Sequence, residues 1–238
     1  MKKWLILCLL AGYCNILSAQ VLIAVLFGNK LNTGKIEFGI TVNPVFSGIT
    51  NLESEYKTGL NLGIYFNFRP DKKFYFHVEG IAKGSFGAKD IAPYTTNDDT
   101  LDALFAGGSI VRKIKVFSMP VLGRYALSKK FYLEAGIQPD LILKVHDIFK
   151  TKANDNELEY KIKVTDQYNR IDIGVTGGIF FKFRPDRKSM GMGIRYMQGL
   201  TDIYKPMDGI QANKSWQIVI TIPVGAAPKN ETSSTKAN

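Results

Sequence analysis

The chain has 238 residues, two cysteines and a formal net charge of +10, which comes from 31 basic and 21 acidic side chains. No linker rich in proline, glycine or serine divides it, and one large domain is the simplest organisation for this length. Downstream of residue 20, no apolar run reaches the roughly 18 residues that a membrane-spanning helix needs. Length and composition therefore exclude a helical membrane protein.

The N-terminus has the layout of a secretory signal peptide. Two lysines follow Met1, residues 4–11 form an apolar core, and small residues precede a cleavage point after Ala19. We therefore predict a signal peptide over residues 1–19, followed by a short N-terminal periplasmic segment over residues 20–34.

Export and cysteine content narrow the possible partners. Both cysteines, Cys8 and Cys14, lie in the predicted signal peptide, so the exported chain has no disulfide, thiol nucleophile or cysteine metal site. A basic chain can bind nucleic acid, but export argues against nucleic acid as a partner. The apolar run over residues 21–27 leaves an uncleaved N-terminal anchor as the alternative to cleavage.

Apolar and polar residues alternate with a period of two through most of the remaining chain. The alternation is clearest over residues 59–69, where one face is wholly apolar and the other mostly polar, as expected of an amphipathic β-strand. The same pattern predicts eight strands, near residues 36–46, 60–68, 74–83, 110–126, 131–144, 170–184, 190–196 and 215–224. In the fourth, we expect the pattern to change phase at a β-bulge near Pro120, because proline cannot donate to a central ladder.

The connections between the strands alternate in length. Two nearly identical segments, over residues 66–73 and 181–188, contain Arg-Pro-Asp turns, and a third short turn lies near Ser128. The other connections are longer and polar, over residues 47–57, 86–109, 146–168 and 202–213. Short turns at one end and long loops at the other are typical of a barrel that crosses the outer membrane.

We therefore predict an all-β fold, an eight-stranded antiparallel up-and-down transmembrane β-barrel with short periplasmic turns and longer external loops. The barrel would occupy residues 35–225, with a polar C-terminal tail over residues 226–238. Alternation alone also allows a soluble lipocalin-like ligand-binding barrel, whose apolar face would point inward. The predicted strand lengths match the roughly 9–11 residues that a tilted membrane strand requires, which favours the transmembrane barrel.

Charged residues of both signs share the polar face of the strands and can pair across a narrow lumen. We predict that they form a polar network inside the barrel, composed of Glu37, Arg69, His77, Glu79, Lys83, Arg124, Glu134, Asp140, Arg170, Asp172, Lys182 and Arg195. The two histidines, His77 and His146, lack metal-ligand spacing, and no nucleophile motif is present. We therefore predict no catalytic, cofactor or metal site, and a protein that is not an enzyme.

The chain resembles the PorT-like outer-membrane β-barrel family of Gram-negative bacteria. The resemblance is carried by residues 20–32, by Glu37-Phe38-Gly39 in the first strand and by the Arg-Pro-Asp hairpins, and it covers nearly the whole exported chain. It implies an eight-stranded barrel, and the namesake of the family is a component of a protein secretion system. The last predicted strand departs from many outer-membrane barrels, because a polar tail follows Gly225 in place of a terminal aromatic residue.

An eight-stranded barrel has an interior that side chains just fill, so a wide pore is disfavoured. We expect a structural or interaction role in the cell envelope, with outer-membrane lipid and envelope or secretion proteins as partners. The alternatives are a narrow channel or carrier for a small solute, and the lipocalin-like barrel. The sequence leaves the oligomeric state open.

Overall fold

The computed structural model describes residues 33, 35–70, 72–153, 156–186, 188–206 and 209–225. The predicted signal peptide and the polar tail lie outside these residues, as does the segment over residues 20–34 apart from Thr33. Within the described part of the chain, no helix is both long and apolar enough to cross a membrane.

The described residues contain ten antiparallel strands and one short α-helix. In chain order they are β1 (Ile36–Ile49), β2 (Glu55–Phe68), β3 (Phe74–Ile91), α1 (Asp99–Phe105), β4 (Ser109–Ser118), β5 (Val121–Ala126), β6 (Phe131–Ala153), β7 (Asn156–Lys163), β8 (Ile171–Lys182), β9 (Gly191–Gly199) and β10 (Asn213–Pro223). A single 3-10 turn, Thr165–Gln167, precedes β8.

The strands close into a barrel. β1 pairs with both β2 and β10, so the first and last strands join, and each remaining neighbour in the ring is antiparallel. β4 and β5 lie end to end between β3 and β6, so together they occupy one position in the ring and form one wall of the barrel. β7 pairs only with the C-terminal part of β6. When β4 and β5 are counted as one, the described residues form a ring of eight strands, each a wall of the barrel. The predicted fold is confirmed.

The outward face of the barrel is apolar over the length of a membrane crossing. On β8, Ile171, Ile173, Val175 and Ile179 all point outward and are exposed. Exposed aromatic side chains border this belt at both ends, namely Phe68, Phe74, Tyr125, Phe131 and Phe183 near the short turns, and Phe46, Phe117 and Trp216 towards the long connections. This arrangement of an apolar belt between aromatic girdles is typical of outer-membrane barrels, and the inward-facing apolar surface of the lipocalin-like alternative is wrong for this part.

The polarity of the wall is reversed beyond the belt, at the end with the long connections, which we call the outer end. There the buried side chains are apolar and form one cluster, which includes Val45, Phe86, Ile110, Ile114, Val145, Phe149 and Met197. Parts of the segments that we predicted as external loops belong to strands, namely residues 47–49, 55–57, 86–91, 146–153 and 156–163, because β1, β2, β3 and the β6–β7 hairpin extend past the belt. Water surrounds the barrel there, so apolar side chains gain by pointing inward.

The predicted change of phase near Pro120 is wrong. The ladder is interrupted between Ser118 and Val121, but the same alternate side chains stay inward on both sides, from Ile114 to Arg124. The carbonyl of Pro120 accepts the amide of Glu79, so the wall continues without a shift. The sequence pattern changes there because the inward side chains change from apolar to polar.

The barrel wall has positions where the neighbouring strand leaves room only for glycine. A Cβ atom at Gly136 would lie 2.0 Å from the carbonyl oxygen of Val121 and 2.8 Å from Cα of Leu122, whereas one at Gly177 would meet nothing closer than 3.6 Å. We expect Gly136→Ala to lower the free energy of unfolding by about 1–3 kcal/mol through overpacking. Urea titration in detergent micelles measures the loss, with Gly177→Ala as the matched control. Equal losses in the two variants would contradict this explanation.

Candidate functional site

A chain of ionised side chains crosses the membrane-spanning part of the lumen, centred on Arg195. Its Nε atom donates to Glu134 Oε1 at 2.8 Å, and its Nη2 atom donates to Glu79 Oε1 at 2.9 Å. Arg124 Nε completes the chain by donating to Glu134 Oε2 at 2.8 Å. All four side chains are buried. Because β9 and β3 lie on opposite sides of the ring, the contact between Arg195 and Glu79 spans the full width of the lumen.

Neutral side chains extend this chain towards β1 and β2. His77 places Nε2 at 2.8 Å from Glu79 Oε1 and Nδ1 at 2.6 Å from Asn67 Oδ1. Asn43 donates to the second oxygen of Glu79 at 3.1 Å, and Asn67 donates to Glu37 at 2.8 Å. The alternation of β1, β2 and β3 brings these residues together, since it points their polar face inward.

The charges of this part of the lumen balance. Lys182 Nζ lies 3.8 Å from Glu37 Oε2, which adds a third cation and a third carboxylate to the group. The balanced set consists of Glu37, Glu79 and Glu134 with Arg124, Arg195 and Lys182. Buried ions are tolerated only when paired and hydrogen-bonded, and this arrangement meets that condition for each carboxylate. The network therefore ties opposite walls of the barrel together.

Two aspartates lie between this network and the apolar cluster. Asp140 on β6 and Asp172 on β8 are direct cross-strand neighbours, and both are buried. Asn213 donates to Asp172 at 2.7 Å, and Gln138 donates to Asp140 at 3.2 Å. Gln217 on β10 reaches Gln138 Oε1 at 3.4 Å, a second contact across the lumen.

A separate ion pair lies inside the apolar cluster at the outer end. Arg112 makes a two-point contact with Asp147, through Nε at 2.8 Å and Nη2 at 2.7 Å. The rings of Tyr168 and Tyr204 lie 5.7 and 5.2 Å from the guanidinium, and Tyr94 donates to Asp147 at 3.0 Å. Burial and the Asp147 carboxylate raise the pKa of Tyr94, which therefore remains a neutral donor. The hydrogen bond from Tyr94 to Asp147 fastens the loop before α1 to the barrel wall.

The structure places nine of the twelve residues of the predicted network in the barrel interior, namely Glu37, His77, Glu79, Arg124, Glu134, Asp140, Asp172, Lys182 and Arg195. The inward prediction is wrong for Arg69, Lys83 and Arg170, which are exposed. Arg69 has a φ of 56° and belongs to the turn after β2. A bulge between Ile81 and Gly84 turns Lys83 outward. Arg170 precedes β8 and donates to the carbonyl of Leu143.

Sequence reasoning missed the Arg112–Asp147 pair and the neutral partners of the ions. Arg112 lies two residues from both Ile110 and Ile114, and this spacing is a signal that the three share the inward face. Asn43 and Gln138 occupy polar positions of their strands, but no pattern distinguishes them from solvated residues. Within the described residues, no three His, Cys, Asp or Glu side chains are grouped as metal ligands. The chemistry of the interior is that of ion pairing and hydrogen bonding.

Known structures with a similar fold are outer-membrane barrels. Ail, the attachment invasion locus protein of Yersinia pestis, aligns with 10% identity and a TM-score of 0.42 over 79% of this chain and 97% of its own. Neisserial surface protein A aligns with 10% identity and a TM-score of 0.42, covering 79% and 96% of the two chains. OprG from Pseudomonas aeruginosa aligns with 13% identity and a TM-score of 0.39, covering 79% and 91%. Among curated proteins, none matches the chain significantly.

A protein-family model covers most of the chain. The model is described as an outer membrane protein beta-barrel domain, and it matches residues 23–205. The match agrees with the closed ring of walls and with the outward apolar belt. The chain belongs to the family of outer membrane protein beta-barrel domains and is an integral β-barrel of the outer membrane.

Proposed function

We propose that this barrel is neither a channel nor an enzyme, and that it anchors an interaction surface at the outer face of the membrane. The observation that carries the proposal is the filled lumen. Arg195 meets Glu79 across the ring, Gln217 meets Gln138 closer to the outer end, and the apolar cluster fills the outer end itself. A solute would have to break contacts at each of these three levels.

The outer end supplies surface for a partner. Helix α1 and the β6–β7 hairpin stand beyond the belt, and exposed apolar side chains there include Leu104, Tyr160, Leu200 and Ile210. A cleft of about 500 Å³ lies beside the hairpin and is lined by Gly108, Lys150, Thr151 and Leu158, among others. Exposed apolar groups beside a polar cleft are typical of sites that bind another macromolecule. The resemblance to the PorT-like family supports the narrower proposal that the partner is an envelope or secretion protein.

Conductance and crosslinking test this function together. In planar bilayers we expect no discrete current steps from the purified barrel, because side chains fill its lumen. In cells, a photo-crosslinking residue at Leu104 or Tyr160, both exposed at the outer end, is expected to capture a protein partner. The same residue at Lys129, in a short turn at the opposite end, is the matched control. Reproducible current steps, or adducts that form equally from Lys129, would contradict the proposal.

A further inference from the structure

Five lysines form a basic surface on the outside of the wall, just past the apolar belt. They are Lys113 and Lys115 on β4, Lys144 on β6, and Lys161 and Lys163 on β7. All five are exposed. Among the described residues, no acidic side chain lies within 4.0 Å of their amines, although ion pairs of that length form elsewhere on the barrel.

The strand register concentrates these charges. Lys115 stands directly opposite Lys144, while Lys113 and Lys163 stand opposite His146 from its two sides. Like charges directly across a ladder destabilise a sheet, so this arrangement costs free energy unless an anion lies between them. Slight burial and the nearby lysines lower the pKa of His146, which agrees with a concentrated positive field at this point.

The basic surface begins where the apolar belt ends. Phe117 is the last exposed apolar side chain of β4 on this side, two residues from Lys115, and Leu143 directly precedes Lys144. A strand rises about 3.3 Å per residue, so these amines start within about 7 Å of the belt. The headgroup region extends roughly 5–7 Å beyond the hydrocarbon on each side, and long lysine stems can reach along it. Lys115 and Lys144 therefore lie at the depth of lipid headgroups, and Lys163, Lys113 and Lys161 follow farther from the belt.

Arg170 adds a fixed cation at the edge of the belt. Its Nη1 atom donates to the carbonyl oxygens of Ile142 and Leu143 at 3.3 and 3.1 Å, where β6 bulges and its register with β4 shifts. Those two bonds hold the guanidinium beside Lys144, and its remaining donors are suited to the oxygens of a phosphate.

We propose that the basic surface binds the phosphate groups of phosphorylated lipid in the outer leaflet of the outer membrane. A lipid whose chains cover the belt beside Phe117 and Leu143 would place its headgroup against Lys115, Lys144 and Arg170. Binding would remove the repulsion between Lys115 and Lys144 and would fasten the β6–β7 hairpin to the membrane surface. The surface is continuous with the apolar belt, so a lipid can contact both with its chains and its headgroup. A soluble polyanion could contact only the basic part.

Lipid retention in detergent tests the proposal. The probes are diphosphorylated lipid A and the same lipid with its phosphates removed, each quantified on the folded barrel by native mass spectrometry. The triple variant K115Q/K144Q/K163Q is compared with wild type and with K35Q/K72Q/K129Q, which removes three exposed lysines at the opposite rim. We expect the first variant to bind diphosphorylated lipid A about 100-fold more weakly, and the control to bind it like wild type.

The heat-modifiable gel band establishes that each variant is folded before binding is compared. Equal retention by wild type and K115Q/K144Q/K163Q would overturn the proposal, and so would equal retention of the dephosphorylated lipid, because acyl chains would then carry the binding. A third arm uses sucrose octasulfate as a soluble polyanion. If the three lysines govern its binding but leave lipid binding unchanged, the surface serves a soluble acidic partner and the proposal fails.

Discussion

Replacing Arg195 by methionine is expected to lower the free energy of unfolding by about 3–5 kcal/mol, the largest effect of any single change considered for this barrel. Arg195 joins Glu79 to Glu134, and all three side chains are buried. Removing the cation leaves two carboxylates without their shared partner in a region of low dielectric, where unpaired charge is most costly. The measurement is urea unfolding in lipid vesicles, followed by the fluorescence of Trp216.

The control for this experiment is Arg184→Met, since Arg184 is exposed near a short turn. We expect that change to alter stability by less than about 0.5 kcal/mol. Adding Glu79→Gln to the Arg195→Met variant should restore part of the loss, because one of the unpaired carboxylates is then neutral. A loss below about 1 kcal/mol for Arg195→Met would mean that water replaces the arginine inside the lumen, contrary to the filled lumen described above.

Ile179→Arg is expected to cost about 2–4 kcal/mol, because it places a charge on the lipid-facing side in the middle of the belt. Ile179 is 56% exposed, and its cross-strand neighbours Leu133 and Ile194 also point outward. The same measurement on Leu127→Arg is the control for depth. Leu127 is 60% exposed but lies in a short turn at the rim, where arginine costs only about 0–1 kcal/mol.

Equal costs at the two positions would contradict the placement of the belt. The comparison is informative because both side chains are about equally exposed, so that burial within the protein contributes little to the difference. What differs is the medium around each residue, which is hydrocarbon at Ile179 and headgroups or water at Leu127.

The fold could be predicted from the sequence because apolar and polar residues alternate along each strand of the membrane-spanning part. Residues 60–68 alternate strictly, and the two Arg-Pro-Asp turns separate neighbouring strands with similar chemistry. Inward positions of this part follow from the same alternation, as Glu79, Glu134 and Arg195 illustrate. Their partners could not be predicted, since the contact between β9 and β3 depends on how the ring closes.

A single-residue irregularity explains why the prediction failed at Lys83. The bulge between Ile81 and Gly84 reverses the face of the residues from Lys83 to Ala88, so Lys83 points outward. A second bulge in β6 does the same near Leu143 and turns Lys144 outward. Because side chains alternate with a period of two, one inserted residue moves the side chains that follow it to the opposite face. Nothing in the composition of these segments marks the insertion.

The sequence by itself determined that this chain alternates as an amphipathic barrel, with short turns at one end and polar residues on the inward face of its membrane-spanning walls. Only the tertiary structure decided where that rule reverses. Ile114 and Lys115 keep the same alternation as Arg124 and Tyr125, yet their apolar side points inward because water, not lipid, surrounds them. The position of a residue along the barrel axis decides whether lipid or water surrounds it, and closure of the ring sets that position.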